Sequence, residues 1–137
     1  MLKNRLIPII VLKDELIVQS LGFKRYLPIG NVKMAIEFFV NWDVDEIIII
    51  DIDASKEKRR HRQDIVEKAC LECFVPLAVG GGINSLEGIR QTLRSGADKI
   101  VINEAAYKDP AFILEAVKSF GSSTITISVD AKKINND

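Results

Sequence analysis

Few residues of this chain are of the kinds that bind metals or form disulfide bonds. Two cysteines and one histidine occur among 137 residues. Cys70 and Cys73 form a C-x-x-C pair, but His61 lies too far upstream to join them in a known zinc spacing. The pair falls at the C-terminal end of a predicted helix, where no helix dipole lowers a thiol pKa, so both cysteines are interpreted as packing residues. We expect no metal and no cofactor, and we interpret His61, in the charged run KEKRRHRQD, as a solvated loop residue.

The chain also lacks an excess of either charge. Nineteen basic side chains balance nineteen acidic ones, so no overall field attracts nucleic acid or an anionic membrane. No apolar stretch is long enough to cross a bilayer. The short apolar run near the N-terminus lacks a small-residue cleavage site and is soon followed by charges, unlike a signal peptide. We therefore expect a cytoplasmic protein that binds neither nucleic acid nor membrane.

What the sequence has instead is a regular alternation of apolar runs and helical patterns. Runs rich in isoleucine and valine predict strands, each buried on both faces, at 6–12, 46–52, 76–81, 99–103 and 124–130. Amphipathic patterns predict helices over 32–43, 62–74, 85–96 and 109–121, with Ser85 as an N-cap, Pro110 just inside a start, and Gly96 and Gly121 past the ends. This order predicts one α/β domain, residues 1–137, with a parallel sheet that is either open or curled into a barrel.

Strand parity places three charged residues at one end of the sheet. Alternate side chains of a strand point to the same side, so Arg5 shares a face with Val11, and Lys99 shares one with Asn103. By the same rule Glu46 lies on the inner face of its strand. If these faces line a barrel, the three residues form a charged layer at its N-terminal mouth. The alternative is three separate strand-start charges in water, which the base rate for charged residues favours.

Two features at the C-terminal ends of strands are candidates for chemistry. AVGGGINSLEG (78–88) places three glycines between a strand and a helix, where backbone N–H groups can approach a phosphate. Turn geometry alone explains such glycines equally well, and neither a Walker A nor a dinucleotide fingerprint is present. Asp130 ends a predicted strand and is a candidate general acid or base. The corresponding position of the first strand is Val11, which cannot transfer a proton.

Five blocks of the sequence resemble a known family in order and spacing. They are RLIPIIVLKD, DEIIIIDIDAS, VPLAVGGGINS, GADKIVINEAA and ISVDAKK. Together they resemble the first half of the cyclase subunit of imidazole glycerol phosphate synthase, the HisF family of histidine biosynthesis. The resemblance implies the N-terminal (βα)4 half of a TIM (βα)8 barrel plus its fifth strand. It also implies a lyase that uses ammonia from a glutaminase subunit and a phosphorylated small-molecule substrate.

The resemblance assigns roles to individual positions. Arg5, Glu46 and Lys99 match three members of the family's ammonia gate, Asp98 a glutaminase contact, Asp130 one of two catalytic aspartates, and Gly82 and Asn103, beside Gly81, a phosphate site. Three positions depart from the family. The second catalytic aspartate falls on Val11, a lysine of the first loop on Gln19, and a small hydroxyl residue near the phosphate on Glu104, whose charge would repel a phosphate. Val11 argues against cyclase activity.

These departures, with SLGFKRYLPIGN (20–31) and NWDVDE (41–46), resemble a HisF-like branch that accompanies acetamidino-sugar formation in surface glycans. That resemblance implies a HisH-like glutaminase partner, an ATP-dependent amidotransferase as a further partner, and a nucleotide sugar as the acceptor of ammonia. Two alternatives stay open, an ordinary histidine-pathway cyclase and a non-catalytic half-barrel that serves as a binding or assembly module. A half-barrel would expose apolar surface, so we expect it to self-associate.

Overall fold

Seven strands and five helices make up residues 4–131, the part of the chain that the computed structural model describes. The strands are β1 (Ile9–Lys13), β2 (Leu16–Leu21), β3 (Arg25–Gly30), β4 (Ile47–Asp51), β5 (Leu77–Gly80), β6 (Lys99–Ile102) and β7 (Ile125–Ile127). The helices are α1 (Val32–Asn41), α2 (Gln63–Glu72), α3 (Leu86–Arg94), α4 (Glu104–Lys108) and α5 (Pro110–Phe120). Every helix in this part of the chain is too short or too polar to pass through a bilayer.

All seven strands join one sheet in the order β3-β2-β1-β4-β5-β6-β7. The five strands from β1 to β7 in that order are parallel to one another, and helices connect β4, β5, β6 and β7 in turn. The predicted α/β class, with strands and helices alternating along a largely parallel sheet, is confirmed. Parallel strands with this connectivity are the arrangement found in part of a (βα)8 barrel.

A hairpin between the first strand and the first helix was not predicted. Strands β2 and β3 pair antiparallel with each other, and β2 pairs with the end of β1. Two-residue hairpin turns are usually recognised in a sequence by Asn-Gly or Asp-Gly, because both central residues need positive φ. Here Asp14 and Glu15 take that conformation, with φ of 47° and 67°. Neither is a glycine, so the sequence carries only a weak signal of the turn.

The helix-facing side of the sheet forms the core. Ile10 and Leu12 of β1 are buried there, together with Ile47 and Ile49 of β4. They pack beneath α1 and α2 in one cluster, and a second cluster lies between β6, α3 and α5. The prediction that the strands are buried on both faces is wrong for β1, since Ile9 on the inner face is 61% exposed. The inner face of a barrel strand is covered only where the strands opposite it are present.

The predicted helix ends agree with the structure. The Ser85 hydroxyl accepts a hydrogen bond from the Gly88 N–H at 3.1 Å, and Pro110 is the first residue of α5. Gly121 follows α5 with φ of 88°, the left-handed conformation that glycine adopts at low cost. The last strand is shorter than predicted. It ends at Ile127 rather than at Asp130, which is exposed.

We predict that Gly82→Ala destabilises the fold far more than Gly22→Ala. Both glycines have nearly the same left-handed backbone, with φ of 64° and 60°. A Cβ at Gly82 would lie 1.9 Å from the Arg59 carbonyl oxygen, whereas nothing lies within 4 Å of one at Gly22. We expect Gly22→Ala to cost about 1 kcal/mol from the backbone conformation alone. Gly82→Ala should cost at least about 3 kcal/mol in urea unfolding, because backbone must move. Equal losses would contradict this account.

Candidate functional site

The predicted charged layer is present at the N-terminal edge of the sheet. Glu46 is buried, and its Oε2 accepts hydrogen bonds from Arg5 Nη2 at 2.5 Å and from Lys99 Nζ at 2.6 Å. We call these three residues the edge triad. A buried carboxylate is tolerated when it is paired and hydrogen-bonded, which both cations achieve here. The alternative of three separate charges in water is therefore wrong.

The register of the parallel strands explains how the edge triad forms. Glu46 directly precedes β4, and Lys99 is the first residue of β6, with β5 lying between them. Ala78 of β5 pairs with Lys99 in the register. Because the alanine side chain is small, the lysine side chain reaches across β5 to the carboxylate. The Arg5 side chain is 54% exposed, so the triad is open to solvent on that side.

Asp98 has a structural role beside its predicted contact with a glutaminase. Its Oδ2 accepts the Leu77 N–H at 2.9 Å, and its own N–H donates to the Leu77 carbonyl at 2.9 Å. Asp45 makes the same two bonds with Leu6, at 2.7 and 3.0 Å. In both cases an aspartate before one strand pins the start of a neighbouring strand. Asp98 is exposed at the same edge as the triad, and its contact with a partner stays a prediction.

Asp130 and Asn103 lie together at the C-terminal edge. Asn103 follows β6, and its Nδ2 donates to Asp130 Oδ2 at 3.0 Å. The structure thus joins the predicted catalytic acid to a residue predicted to bind phosphate. The Asn103 amide is engaged by the carboxylate in this arrangement. Its role towards phosphate, like the catalytic role of Asp130, stays a prediction.

Close packing accounts for the glycines of the β5–α3 turn. A Cβ at Gly81 would lie 2.7 Å from the Asp51 carbonyl oxygen, and Gly82 faces the Arg59 carbonyl as described above. Both residues have positive φ, at 128° and 64°. The turn therefore needs glycine at these positions whether or not a ligand binds there. Phosphate binding by Gly81 and Gly82 stays a prediction.

An apolar layer separates the edge triad from Asn103 and Asp130. Val11 pairs with Ile50 in the parallel register, and Val101 lies on the same face beyond Gly80. A Cβ at Gly80 would lie 2.9 Å from that of Val101, so the glycine leaves room for these branched side chains. Val11 is half-buried on the inner face. The middle of β1 therefore contributes an apolar surface between the two edges of the sheet.

An ion pair that was not predicted from the sequence anchors the β4–α2 loop. Asp51, the last residue of β4, is 3% exposed and binds Arg59 Nη1 at 2.6 Å. Its Oδ1 also accepts the N–H groups of Asp53 and Ala54, each at 3.2 Å. The hydrogen bond to Asp51 is the main cause of a raised Arg59 pKa. The acid-rich string DIDAS was the available signal, but nothing local in it points to Arg59.

His61 is a buried residue, and the expectation of a solvated loop position is wrong. It is 7% exposed, and its Nε2 lies 2.7 Å from Thr92 Oγ1. The Thr92 hydroxyl donates to the Gly88 carbonyl at 2.8 Å, so it accepts from His61 and the imidazole proton sits on Nε2. Burial lowers the pKa of His61. The charged residues next to His61 in the sequence favoured an exposed position, but its own side chain points into the interior.

One cluster of carboxylates has the spacing of metal ligands. Asp14, Asp53 and Glu57 place oxygens within 4.8 Å of one another. Lys13 Nζ, however, lies 2.6 Å from Asp14 Oδ2 and 3.6 Å from Asp53 Oδ2. The Lys13 ammonium group supplies positive charge to these two carboxylates, and the Arg59 guanidinium pairs with Glu57. We interpret the cluster as an ion-pair network that holds the β1–β2 turn against the β4–α2 loop.

Comparison with known proteins identifies relatives over the whole chain. Residues 5–136 match the sequence profile of the family described as "Histidine biosynthesis protein". The chain is 65% identical over 136 residues to a Vibrio vulnificus protein named "Putative imidazole glycerol phosphate synthase subunit hisF2", covering 99% of this chain and 50% of that protein. A Campylobacter jejuni protein of the same name is 44% identical, covering 97% and 53%. The "Imidazole glycerol phosphate synthase subunit HisF" of Methanocaldococcus jannaschii is 40% identical, covering 100% and 51%. The chain thus spans about half the length of the curated relatives it matches.

We predict that Glu46→Ala destabilises the protein by about 1 to 3 kcal/mol, because it leaves two cations without their shared carboxylate. The loss of unfolding free energy stays within this range because water can solvate Arg5 and Lys99, which both reach the surface. Glu37→Ala is the matched control, as it removes a glutamate from the exposed pair with Lys33 on α1. That variant should change the unfolding free energy by less than about 0.5 kcal/mol. Chemical denaturation of both proteins measures the difference, and equal effects would contradict the role assigned to Glu46.

The buried His61 predicts a loss of stability on mild acidification. Burial holds its folded-state pKa below the ordinary histidine value of about 6.5, so the unfolded chain binds the proton more readily. The stabilisation is complete above about pH 6.5 and is lost as the pH falls towards the folded-state pKa. The slope cannot exceed about 1.4 kcal/mol per pH unit for one group. His61→Gln removes the one histidine of the chain, and urea unfolding between pH 7 and 5.5 should then show a flatter dependence. An unchanged slope would refute the assignment.

Proposed function

Because this chain belongs to the histidine biosynthesis protein family, we propose that it forms part of a HisF-type imidazole glycerol phosphate synthase subunit that receives ammonia from a glutaminase. The observation that carries this proposal is the edge triad. A buried carboxylate held by two cations stands at one edge of the parallel sheet, and a solvent-exposed acid stands at the other. The relatives named as synthase subunits support the same function.

The triad has the chemistry of a gate for a small neutral molecule. Arg5 and Lys99 both bind Oε2 of Glu46. A rotation of that one side chain would therefore break both bonds and open a passage along the inner face. Ammonia, which is neutral, would cross the apolar layer of Val11, Ile50 and Val101 at lower cost than ammonium. At the far side, the Asp130 carboxylate would accept a proton from the attacking nitrogen.

Two candidate substrates follow from the C-terminal edge. The names of the relatives support the ribotide of histidine biosynthesis, so we propose the cyclase reaction as the first candidate. Val11 supports the second, in which ammonia passes to a nucleotide sugar with the help of an ATP-dependent amidotransferase. With a valine in the middle of β1, the described part of the chain offers Asp130 without the second acid that the family resemblance implies. The cytoplasm is the expected compartment for either reaction.

A non-catalytic role is the third candidate. The inner face of β1 is exposed at Ile9, and Met34, Phe38 and Trp42 of α1 and its C-terminus are at least half exposed. Ile9, Ile29, Met34 and Phe38 line a groove of about 400 Å³ between β1, the hairpin and α1. Such a surface favours association, either with the remainder of a barrel or with a second copy. We propose that the isolated chain self-associates through this surface.

Val11→Asp decides between the two catalytic candidates. The assay uses the complete gene product that contains this chain, supplied with ammonium salt and the histidine-pathway ribotide. If the natural acceptor is a sugar, the unmodified protein should form little imidazole glycerol phosphate. Val11→Asp should then raise the rate of imidazole glycerol phosphate formation by about 100-fold, the lower end of the rate increase that a general acid or base typically contributes. Val129→Asp is the control, since it adds a carboxylate beside Asp130 at a position that is 80% exposed. A normal cyclase rate in the unmodified protein would refute the sugar candidate.

A further inference from the structure

We propose that the buried side chain of His61 is a positioning residue, which holds the β5–α3 turn in the shape that binds an anionic group of the substrate. The side chain acts through its hydrogen bond to Thr92, and its effect reaches the turn through the backbone of the same segment. This inference rests on the proposed function, since both candidate acceptors of ammonia, a ribotide and a nucleotide sugar, carry phosphate. The family resemblance assigned no role to His61.

The backbone around His61 packs directly against the β5–α3 turn. The His61 N–H donates to the Gly81 carbonyl at 2.9 Å. The Arg59 carbonyl oxygen lies so close to Gly82 that a Cβ at this glycine would be 1.9 Å from it. Residues 59–61 therefore form one wall of the turn. A shift of this segment would change the backbone of both glycines.

The imidazole of His61 ties the same segment to α3. The ring is buried, and its Nε2 lies 2.7 Å from Thr92 Oγ1. The Thr92 hydroxyl donates to the Gly88 carbonyl, so the proton between the two side chains belongs to His61. Helix α3 begins at Leu86, shortly after the turn. The hydrogen bond thus joins the wall of the turn to the helix that follows the turn.

Stability alone is a poor explanation for a histidine at this position. Its Nδ1 is buried and has no hydrogen-bond partner among residues 4–131. A buried polar atom without a partner costs free energy, and an apolar pair in place of two hydrogen-bonded side chains is often equally stable. A leucine at position 61 would fill similar space without the unpartnered nitrogen. What the histidine adds is a directed bond, which fixes where residues 59–61 lie.

The turn that this bond holds presents a free backbone donor. The Gly82 N–H donates to no backbone carbonyl among the described residues, and Gly82 has the left-handed φ of 64°. Backbone N–H groups in turns of this kind bind phosphate oxygens when their directions are fixed. A displaced segment 59–61 would turn the Gly82 N–H away from an anion. We therefore expect the loss of the His61 bond to weaken anion binding in a protein that is still folded.

The test replaces His61 by the two amide side chains. His61→Gln places an N–H donor close to the position of Nε2 and can still donate to Thr92. The amide of His61→Asn is shorter by a methylene group, so it corresponds to Nδ1 and does not reach. The probe is inorganic sulfate, a doubly charged anion at neutral pH that resembles phosphate. Hydrogen-exchange mass spectrometry of residues 78–88 in the complete gene product, at rising sulfate concentration, measures anion binding at this turn alone.

The expected effect is a change in the sulfate concentration that gives half-maximal protection. His61→Asn should raise it by at least about fivefold, the factor that one hydrogen bond contributes, and His61→Gln by less than about twofold. Thr92→Val removes the other partner and should match His61→Asn. Ser95→Ala is the control for it, because the buried Ser95 hydroxyl makes the same kind of bond within α3, to the Gln91 carbonyl at 3.1 Å. This variant should leave sulfate binding unchanged.

Each outcome addresses a different statement. If sulfate does not protect residues 78–88 of the unmodified protein, the phosphate site predicted at Gly81 and Gly82 fails, and the role of His61 fails with it. If sulfate protects them, and His61→Asn and Thr92→Val bind it like the unmodified protein, the site stands and His61 is not a positioning residue.

Two further results bear on the bond itself. Equal weakening by His61→Gln and His61→Asn would overturn the proposal, because the bond to Thr92 would not be the cause. Circular dichroism checks that each variant is folded. If His61→Asn does not fold, the comparison of Thr92→Val with Ser95→Ala decides, and equal sulfate binding by these two variants would overturn the proposal.

Discussion

A single buried carboxylate orders the N-terminal edge of this sheet. Glu46 can be buried only because Arg5 and Lys99 bring two cations to the same oxygen. Arg5 lies in the segment that leads into β1, and Lys99 is the first residue of β6. In the strand order, β1 and β6 lie on opposite sides of β4. The pairing therefore constrains the relative register of the three strands. A shift of one residue in any of them would move its charged side chain to the opposite face and leave the carboxylate unpaired.

The same edge carries a second, independent set of register contacts. Asp45 bonds both backbone groups of Leu6, and Asp98 bonds both of Leu77. Each aspartate stands directly before a residue of the edge triad, so the strand start is fixed by backbone contacts and the charge follows from it. This is why Asp98 cannot be regarded only as a surface charge for a partner. Its replacement would disturb β5 and the triad as well as any interface.

The parts of the structure that could be predicted are those governed by short-range pattern. Period-two alternation put Arg5, Glu46 and Lys99 on one face only on the condition that the inner faces line a barrel, and the caps at Ser85 and Pro110 follow from local chemistry. The failures share a different cause. The hairpin turn at Asp14 and Glu15 is held by tertiary contacts rather than by glycine, as the 3.2 Å bond from the Asp14 N–H to Asp53 Oδ2 shows. The burial of His61 and the ion pair of Asp51 were not predicted, because their partners, Thr92 and Arg59, come into contact with them only in the folded chain and stand at no characteristic sequence spacing.

The apolar layer separates the two ends of the candidate site, so residues at one end can change without altering contacts at the other. Val11, Ile50 and Val101 lie between the edge triad and the pair formed by Asn103 and Asp130. In the proposed function, ammonia would make the same demand on its entrance whatever molecule accepts it. A change in β1, such as Val11 where the family resemblance implies an acid, would then alter the proposed acceptor without disturbing the bonds of Glu46. The two proposed substrates therefore differ in what they require beyond the triad, and Val11, in the middle of β1, is the position that distinguishes them.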